Sequence, residues 1–216
     1  MAIVLQNTQN YDNGVANQSS YSPTHNLLTG SGNDRLVIVT VNVEDDGTDN
    51  VSSVTFDGQA PDNSQQVTGG TGFSATTWMG IWFESSLPST TGNKTVAVTM
   101  SGTINRNIIV KVQEYSGVSN SSVTQRFYTD SSASAGSAST SVTVDNDDSL
   151  IVGSFTCGGA TFGTASNLTQ NQAAAHGDGS TASGIGSNLN SDTPSETVGW
   201  GSLSTRYAWV AAVFNE

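Results

Sequence analysis

The chain has 216 residues, 35% of them hydrophobic, and sets 18 Asp and Glu against six Lys and Arg, for a net charge of −12. That balance repels phosphate backbones and anionic headgroups at long range, so neither nucleic acid nor a membrane surface is an expected partner. Two His, one Cys, two Lys and four Arg leave few of the groups that acid–base, nucleophilic and metal chemistry recruit, and the chain is expected not to be an enzyme.

Residues 1–7 lack the basic and apolar regions of a secretory leader. The polar run 1–22 reads as an N-terminal arm or edge segment that orders on a partner, with Ala2, Ile3, Val4, Leu5, Tyr11 and Tyr21 as its candidate contacts. The clearest strand follows at 36–43, where Val37, Val39, Val41 and Val43 share one face by the two-residue period. Alternation and turn chemistry place further strands at 51–56, 76–83, 95–100, 108–115, 141–144, 150–156, 196–200 and 207–214, with weaker ones at 2–7 and 168–172. Asp46-Gly47, Asp57-Gly58, Gly69-Gly70 and Ser101-Gly102 punctuate them. The segment 131–140, Ser-Ser-Ala-Ser-Ala-Gly-Ser-Ala-Ser-Thr, reads as a mobile loop, and 173–190 as a surface excursion. No window reaches the roughly 18 apolar residues of a membrane span, and the single Cys157 rules out an intrachain disulfide and reads as a small hydrophobe at a strand end.

Many short strands with such spacing predict an all-β antiparallel sandwich, jelly-roll-like, with long Gly/Ser-rich loops. An internal echo divides it: Asn33-Asp34-Arg35-Leu36-Val37 against Asp147-Asp148-Ser149-Leu150-Ile151, and the run through Arg106 into Ile108 against the run through Arg206 into Ala208. The expected plan is one sandwich over 23–216 built from similar halves, about 33–118 and 141–216, each supplying one Greek key.

Three groups of residues offer chemistry. Asp45, Asp46 and Asp49 gather oxygen ligands suited to Ca²⁺, although the spacing is not that of an EF-hand and a solvated hairpin turn is the preferred reading; 145–148 is a second acidic turn. Trp78 and Trp82 share a strand face with Gly80 between them, a pattern that suits either the core or a platform on which a sugar ring stacks. His25 and His176 sit in no catalytic spacing and read as surface residues, and Glu84, Glu114, Glu196 and Glu216 offer no reason to pair any two as a glycosidase dyad.

The runs Asn33-Asp34-Arg35-Leu36-Val37-Ile38-Val39, Val51-Ser52-Ser53-Val54-Thr55-Phe56-Asp57-Gly58-Gln59, Met79-Gly80-Ile81-Trp82-Phe83 and Lys94-Thr95-Val96-Ala97-Val98-Thr99, followed by Tyr115-Ser116-Gly117-Val118, resemble a β-sandwich module of bacterial and tailed-bacteriophage surface proteins. The chain is similar in size and charge to phage head-decoration (cement) proteins. The resemblance implies a virion structural role on the capsid exterior, made in the host cytoplasm, with the major capsid protein as partner, self-association as a trimer and no catalytic residue to carry over. The alternative expectation is a carbohydrate- or receptor-binding module of a tail appendage or adhesin, with a glycan as ligand.

Overall fold

The computed structural model describes residues 3–45, 50–118, 124–134, 136–143, 149–158, 165–166, 169–176, 179–186, 195–203 and 205–215. The first half supplies β1 (Val4–Asp12), β2 (Gln18–Tyr21), β3 (Thr24–Leu27), β4 (Leu36–Asp45), β5 (Val51–Phe56), β6 (Asn63–Gly69), β7 (Ser74–Phe83), β8 (Gly92–Ile104) and β9 (Ile108–Ser116). The second supplies β10 (Thr124–Ser132), β11 (Gly136–Thr143), β12 (Leu150–Cys157), β13 (Ala165–Ser166), β14 (Thr169–His176), β15 (Gly179–Gly186), β16 (Ser195–Leu203) and β17 (Tyr207–Asn215).

The all-β antiparallel expectation holds, and the pairing adds a second level to it. In the first half a five-stranded sheet runs β1-β9-β4-β7-β6, and a smaller sheet is centred on β8, with β2 and β3 along one side and β5 on the other. The second half repeats the plan: β10-β17-β12-β15-β14 faces β11-β16-β13. Both follow the strand order of a jelly roll, except that β6 and β14 sit in the larger sheet. Each half therefore closes its own sandwich, where the sequence reading had one sandwich shared between them.

Three buried layers result. Val37, Val39, Val41, Trp82, Val96, Val98 and Val110 fill the first sandwich, and Ile151, Phe155, Val198, Trp200 and Trp209 the second. A third layer lies between the two large sheets, where Leu36, Ile38, Met79, Ile81 and Tyr115 meet Leu150, Val152, Val210, Ala212 and Phe214. This explains why β4, β7, β9 and β12 are buried along nearly their whole length, apolar and polar residues alike: both of their faces are covered. β4 packs on its counterpart β12, β7 on β12 and β17, β6 on β10 and β17, and β1 on β14, an approximate two-fold arrangement that keeps β4 and β12 at the centre. We call this third layer the seam.

The seam is not wholly apolar. Asn42 Nδ2 from β4 donates to Ser154 Oγ at 3.1 Å, Thr156 Oγ1 at 3.0 Å and the Phe155 carbonyl at 3.2 Å, and Thr77 Oγ1 contacts Thr156 Oγ1 at 2.9 Å and the Ala208 carbonyl at 2.9 Å. Directional bonds of this kind fix how one sheet sits on the other, which apolar contact alone does not.

The register also shifts the internal echo by one residue. Leu36 stands opposite Tyr115 and Leu150 opposite Phe214; Val43 stands opposite Ile108 and Cys157 opposite Tyr207. Tyr207, not Ala208, is therefore the counterpart of Ile108. A one-residue slip exchanges faces, and accordingly Val110 lies in the first sandwich core while Val210 lies in the seam.

Strand pairing chooses the edge over the arm for the N-terminal segment and corrects two loop readings, while the reading of Cys157 as a strand-end hydrophobe holds. The N-terminal segment is no free arm: β1 pairs with β9 along Val4–Asp12 and β2 with β8, so the segment forms a sheet edge. The small-residue run at 131–140 is mostly strand, in the end of β10 and the start of β11. The Ala/Gly/Ser-rich run at 173–190 holds the second half of β14 and all of β15, whose low β-propensity is overridden by pairing with β12. Cys157 ends β12, fully buried in the second core.

Gly80 and Gly153 make room for tryptophan. A β-carbon at Gly80 would lie 2.1 Å from Trp78 Cη2, and one at Gly153 would lie 2.0 Å from Trp209 Cη2. Each sandwich thus lays an indole ring flat on a strand glycine. Gly153→Val is expected to cost about 3 kcal/mol by overpacking. Thermal unfolding checks it, with Gly201→Ala as control, since a β-carbon there meets nothing within 4 Å.

Candidate functional site

The tryptophan pair resolves first. Trp82 is fully buried, its Nε1 donating to the Gln59 carbonyl at 3.0 Å, and Trp78 is 7% exposed with its ring on Gly80. The slot between them is filled by Trp78 itself. A sugar ring cannot stack on either side chain in this fold, so the stacking-platform expectation for Trp78 and Trp82 is withdrawn and the core reading stands.

The acidic turn after β4 is only partly in view. Asp45 is 3% exposed and accepts the Asn105 amide at 3.1 Å, while Asp46 and Asp49 lie outside the described residues, as does the 145–148 turn. Among the described residues no three His, Cys, Asp or Glu side chains gather as metal ligands.

Of the candidate contacts in the N-terminal segment, Ala2 lies outside the described residues. Ile3 packs on the seam, Val4 and Leu5 are 46% and 38% exposed on the edge strand, and Tyr11 and Tyr21 lean on the first core. Tyr11 OH lies 3.1 Å from His25 Nδ1 and bonds Gln9.

His25 is not a surface residue. It is fully buried, with Nε2 3.9 Å from Glu114 Oε2, and Glu114 is itself fully buried. The Glu114 carboxylate accepts the main-chain amides of Leu28 and Thr29 just after β3. Tyr11, His25 and Glu114 thus tie β1, β3 and β9 together at one end of the first sandwich. Nothing local marks this set, because Tyr11 and His25 stand 14 positions apart and Glu114 stands 85 or more from its partners.

A second carboxylate closes the neighbouring loop. Glu84 meets the fully buried Arg35 through Nη2 at 2.7 Å and Nε at 2.9 Å, and also accepts the Arg35 amide at 3.0 Å. The hydrogen bonds from Arg35 hold the Glu84 carboxyl below its ordinary 4.5. For Glu114, burial pushes the pKa up, but the facing imidazole and the Leu28 and Thr29 amides outweigh it and leave the value below 4.5. A carboxyl group with a depressed folded pKa binds fewer protons folded than unfolded. Its stabilisation is therefore complete above the unfolded value and lost as pH falls through the folded one. Stability is expected to fall steeply as pH drops below 4.5, and Glu84→Gln is expected to flatten that fall in urea titrations at a series of pH values.

Two further surfaces bear on binding. On β8, alternation turns Lys94, Val96, Val98 and Met100 inward and Asn93, Thr95, Thr99, Ser101 and Thr103 outward. With Ser53 of β5 and Thr24 and Asn26 of β3 beside them, the outward side chains of this sheet include no charged residue, in a chain of net charge −12. The other surface is a shallow depression of about 250 Å³ at one end of the seam, lined by Glu44, Phe73, Arg106, Gly158 and Arg206. Glu44, 1% exposed, pairs with Arg206, whose guanidinium lies 5.5 Å above the Phe73 ring.

No family model, curated protein or solved structure matches the chain. No helix among the described residues is long and apolar enough to cross a membrane.

Proposed function

We propose that the chain is a non-enzymatic virion structural protein, a capsid decoration (cement) subunit that lies on the capsid exterior and bridges neighbouring coat proteins. The observation that carries this reading is the charge-free outward face of β2, β3, β5 and β8. Charged side chains are depleted at the centres of protein interfaces because burying them costs desolvation energy. An acidic chain that keeps one whole sheet face free of charge has a surface suited to docking. A double sandwich supplies a stiff body without disulfides, and symmetric repetition, including self-association as a trimer, turns modest contacts into strong attachment. The glycan-binding alternative loses its aromatic platform with the burial of Trp78 and Trp82.

Thr95 and Thr99 point outward from the middle of β8, where Lys side chains meet no packing constraint. The unaltered protein is expected to rebind capsids stripped of it in a sedimentation assay. A double variant, Thr95→Lys with Thr99→Lys, is expected to lose at least tenfold in affinity, a loss of about 1.4 kcal/mol or more, while keeping its unfolding temperature. Unchanged rebinding by the variant would remove this face from the account.

A further inference from the structure

A sheet leaves rows of main-chain hydrogen-bonding groups unpaired at its edges, and β1 and β10 stand in like places at the outer ends of the two large sheets. Among the described residues β1 pairs with β9 and β10 with β17, which leaves each of them one open side. Edge strands are ordinarily guarded against further pairing by charge, Pro, bulges or shortness. β10 carries Arg126 and Asp130. β1 is nine residues long and holds no Pro and, over 4–11, no charged side chain, in a chain of net charge −12. Its one guard is the irregularity between Leu5 and Asn7, which leaves 7–12 in regular register.

The register also fixes which main-chain groups are open. The Asn13 amide donates to the Ile108 carbonyl at 3.3 Å, so by the alternation of an antiparallel ladder Tyr11 and Gln9 likewise turn their amides and carbonyls to β9. Thr8, Asn10 and Asp12 turn theirs to the open side, and the Asn10 and Asp12 side chains are exposed. Apolar surface lies at the other end of the strand. Val4 and Leu5 are exposed there, and so is Leu28, whose amide donates to the Glu114 carboxylate at 3.0 Å, with Glu114 opposite Asn7.

We infer that β1 pairs with β1 of a second copy of this chain, antiparallel about a two-fold axis at Gln9, so that Thr8 of each copy exchanges main-chain hydrogen bonds with Asn10 of the other. Charge and symmetry select this occupant. A strand uncharged over 4–11 offers a basic or acidic partner no ion pair, and it is a place where two copies, each at −12, meet with little repulsion. An antiparallel strand pair is self-complementary, because each copy presents the same donors and acceptors in reversed order. Overlap centred on Gln9 uses 7–11 in full and sets the two Asp12 carboxylates at opposite ends of the contact. The two five-stranded sheets then join edge to edge. This contact uses other strands than the charge-free face of β2, β3, β5 and β8, and it rests neither on the decoration role nor on three-fold association.

The test is sedimentation of the full chain over a concentration series, with amide hydrogen exchange followed residue by residue at both ends of that series. The sedimenting mass is expected to double as concentration rises, and the Thr8 and Asn10 amides to slow about tenfold or more. Asn10→Pro removes an outward donor and no bond to β9, so it is expected to abolish the doubling with the unfolding temperature retained. If that variant is destabilised, the exchange rates of the unaltered chain decide alone. The inference is overturned by a mass that does not double, by doubling that leaves the Thr8 and Asn10 amides fast, or by doubling in a folded Asn10→Pro chain.

Discussion

Lys111→Met is expected to shift stability in a pH-dependent way, in favour of the variant by more at pH 6 than at pH 9.5. Lys111 lies in the middle of β9, opposite Thr40 of β4 and Asn10 of β1, on the strand face that turns to the seam, and it is 1% exposed. Burial lowers its pKa from 10.5 to about 7, because an ammonium ion loses its hydration there. With the folded pKa below the unfolded one, the unfolded chain binds more protons between these two values. Wild-type stability therefore gains from Lys111 as pH rises through that window and bears the full cost of the buried charge below about 7. The shift corresponds to a cost on the order of 4 kcal/mol at the acid end. Met matches the length of the apolar stem and removes the charge, so most of that cost should be recovered at pH 6 and little at pH 9.5. Denaturant titrations of both proteins at both values check this; an equal difference at the two pH values, or one that favours the variant more at pH 9.5, would contradict it.

Arg206→Met is expected to act in the opposite direction, lowering stability by about 3–5 kcal/mol. Arg206 enters from the second sandwich and Glu44 from the first, and their side chains are 17% and 2% exposed. Removing the guanidinium strands a carboxylate whose Oε2 already lacks a partner, in a place where water does not replace the lost charge. The double variant Glu44→Met with Arg206→Met is expected to recover much of the loss, since replacing both members of a buried pair with apolar groups avoids the unpaired charge. A double variant as unstable as the single would show that Arg206 acts through packing on Gly70 and Phe73 instead.

Where one face of a strand is apolar, the sequence was informative. β4, β5, β7, β9, β12 and β17 all announce themselves by valines, isoleucines and aromatics at period two. β2, β6 and β15 do not, and β14 does so only over 169–172, because polar or small residues suffice once a neighbouring strand supplies hydrogen bonds. The same limit hid the second sandwich. The echo between the halves was visible, but two Greek keys in one sandwich and two complete sandwiches back to back share the same local pattern. What separates them is the burial of both faces of β4 and β12, for which Leu36, Ile38, Leu150 and Val152 were the available signal. The ion pairs and the Tyr11–His25–Glu114 set were illegible for a simpler reason: each joins residues that meet only after distant strands have stacked. Trp78 and Trp82 allowed both a core and a surface reading, and the ring of Trp78 lying on Gly80 settles the choice.

If this double sandwich is the shell component proposed above, the copy number of the chain in purified particles shows it. Quantitative mass spectrometry of virions, read against the major coat protein, should find the chain in regular proportion to the coat, at hundreds of copies per particle. A handful of copies would place it on a tail appendage, and its absence from particles would contradict the account.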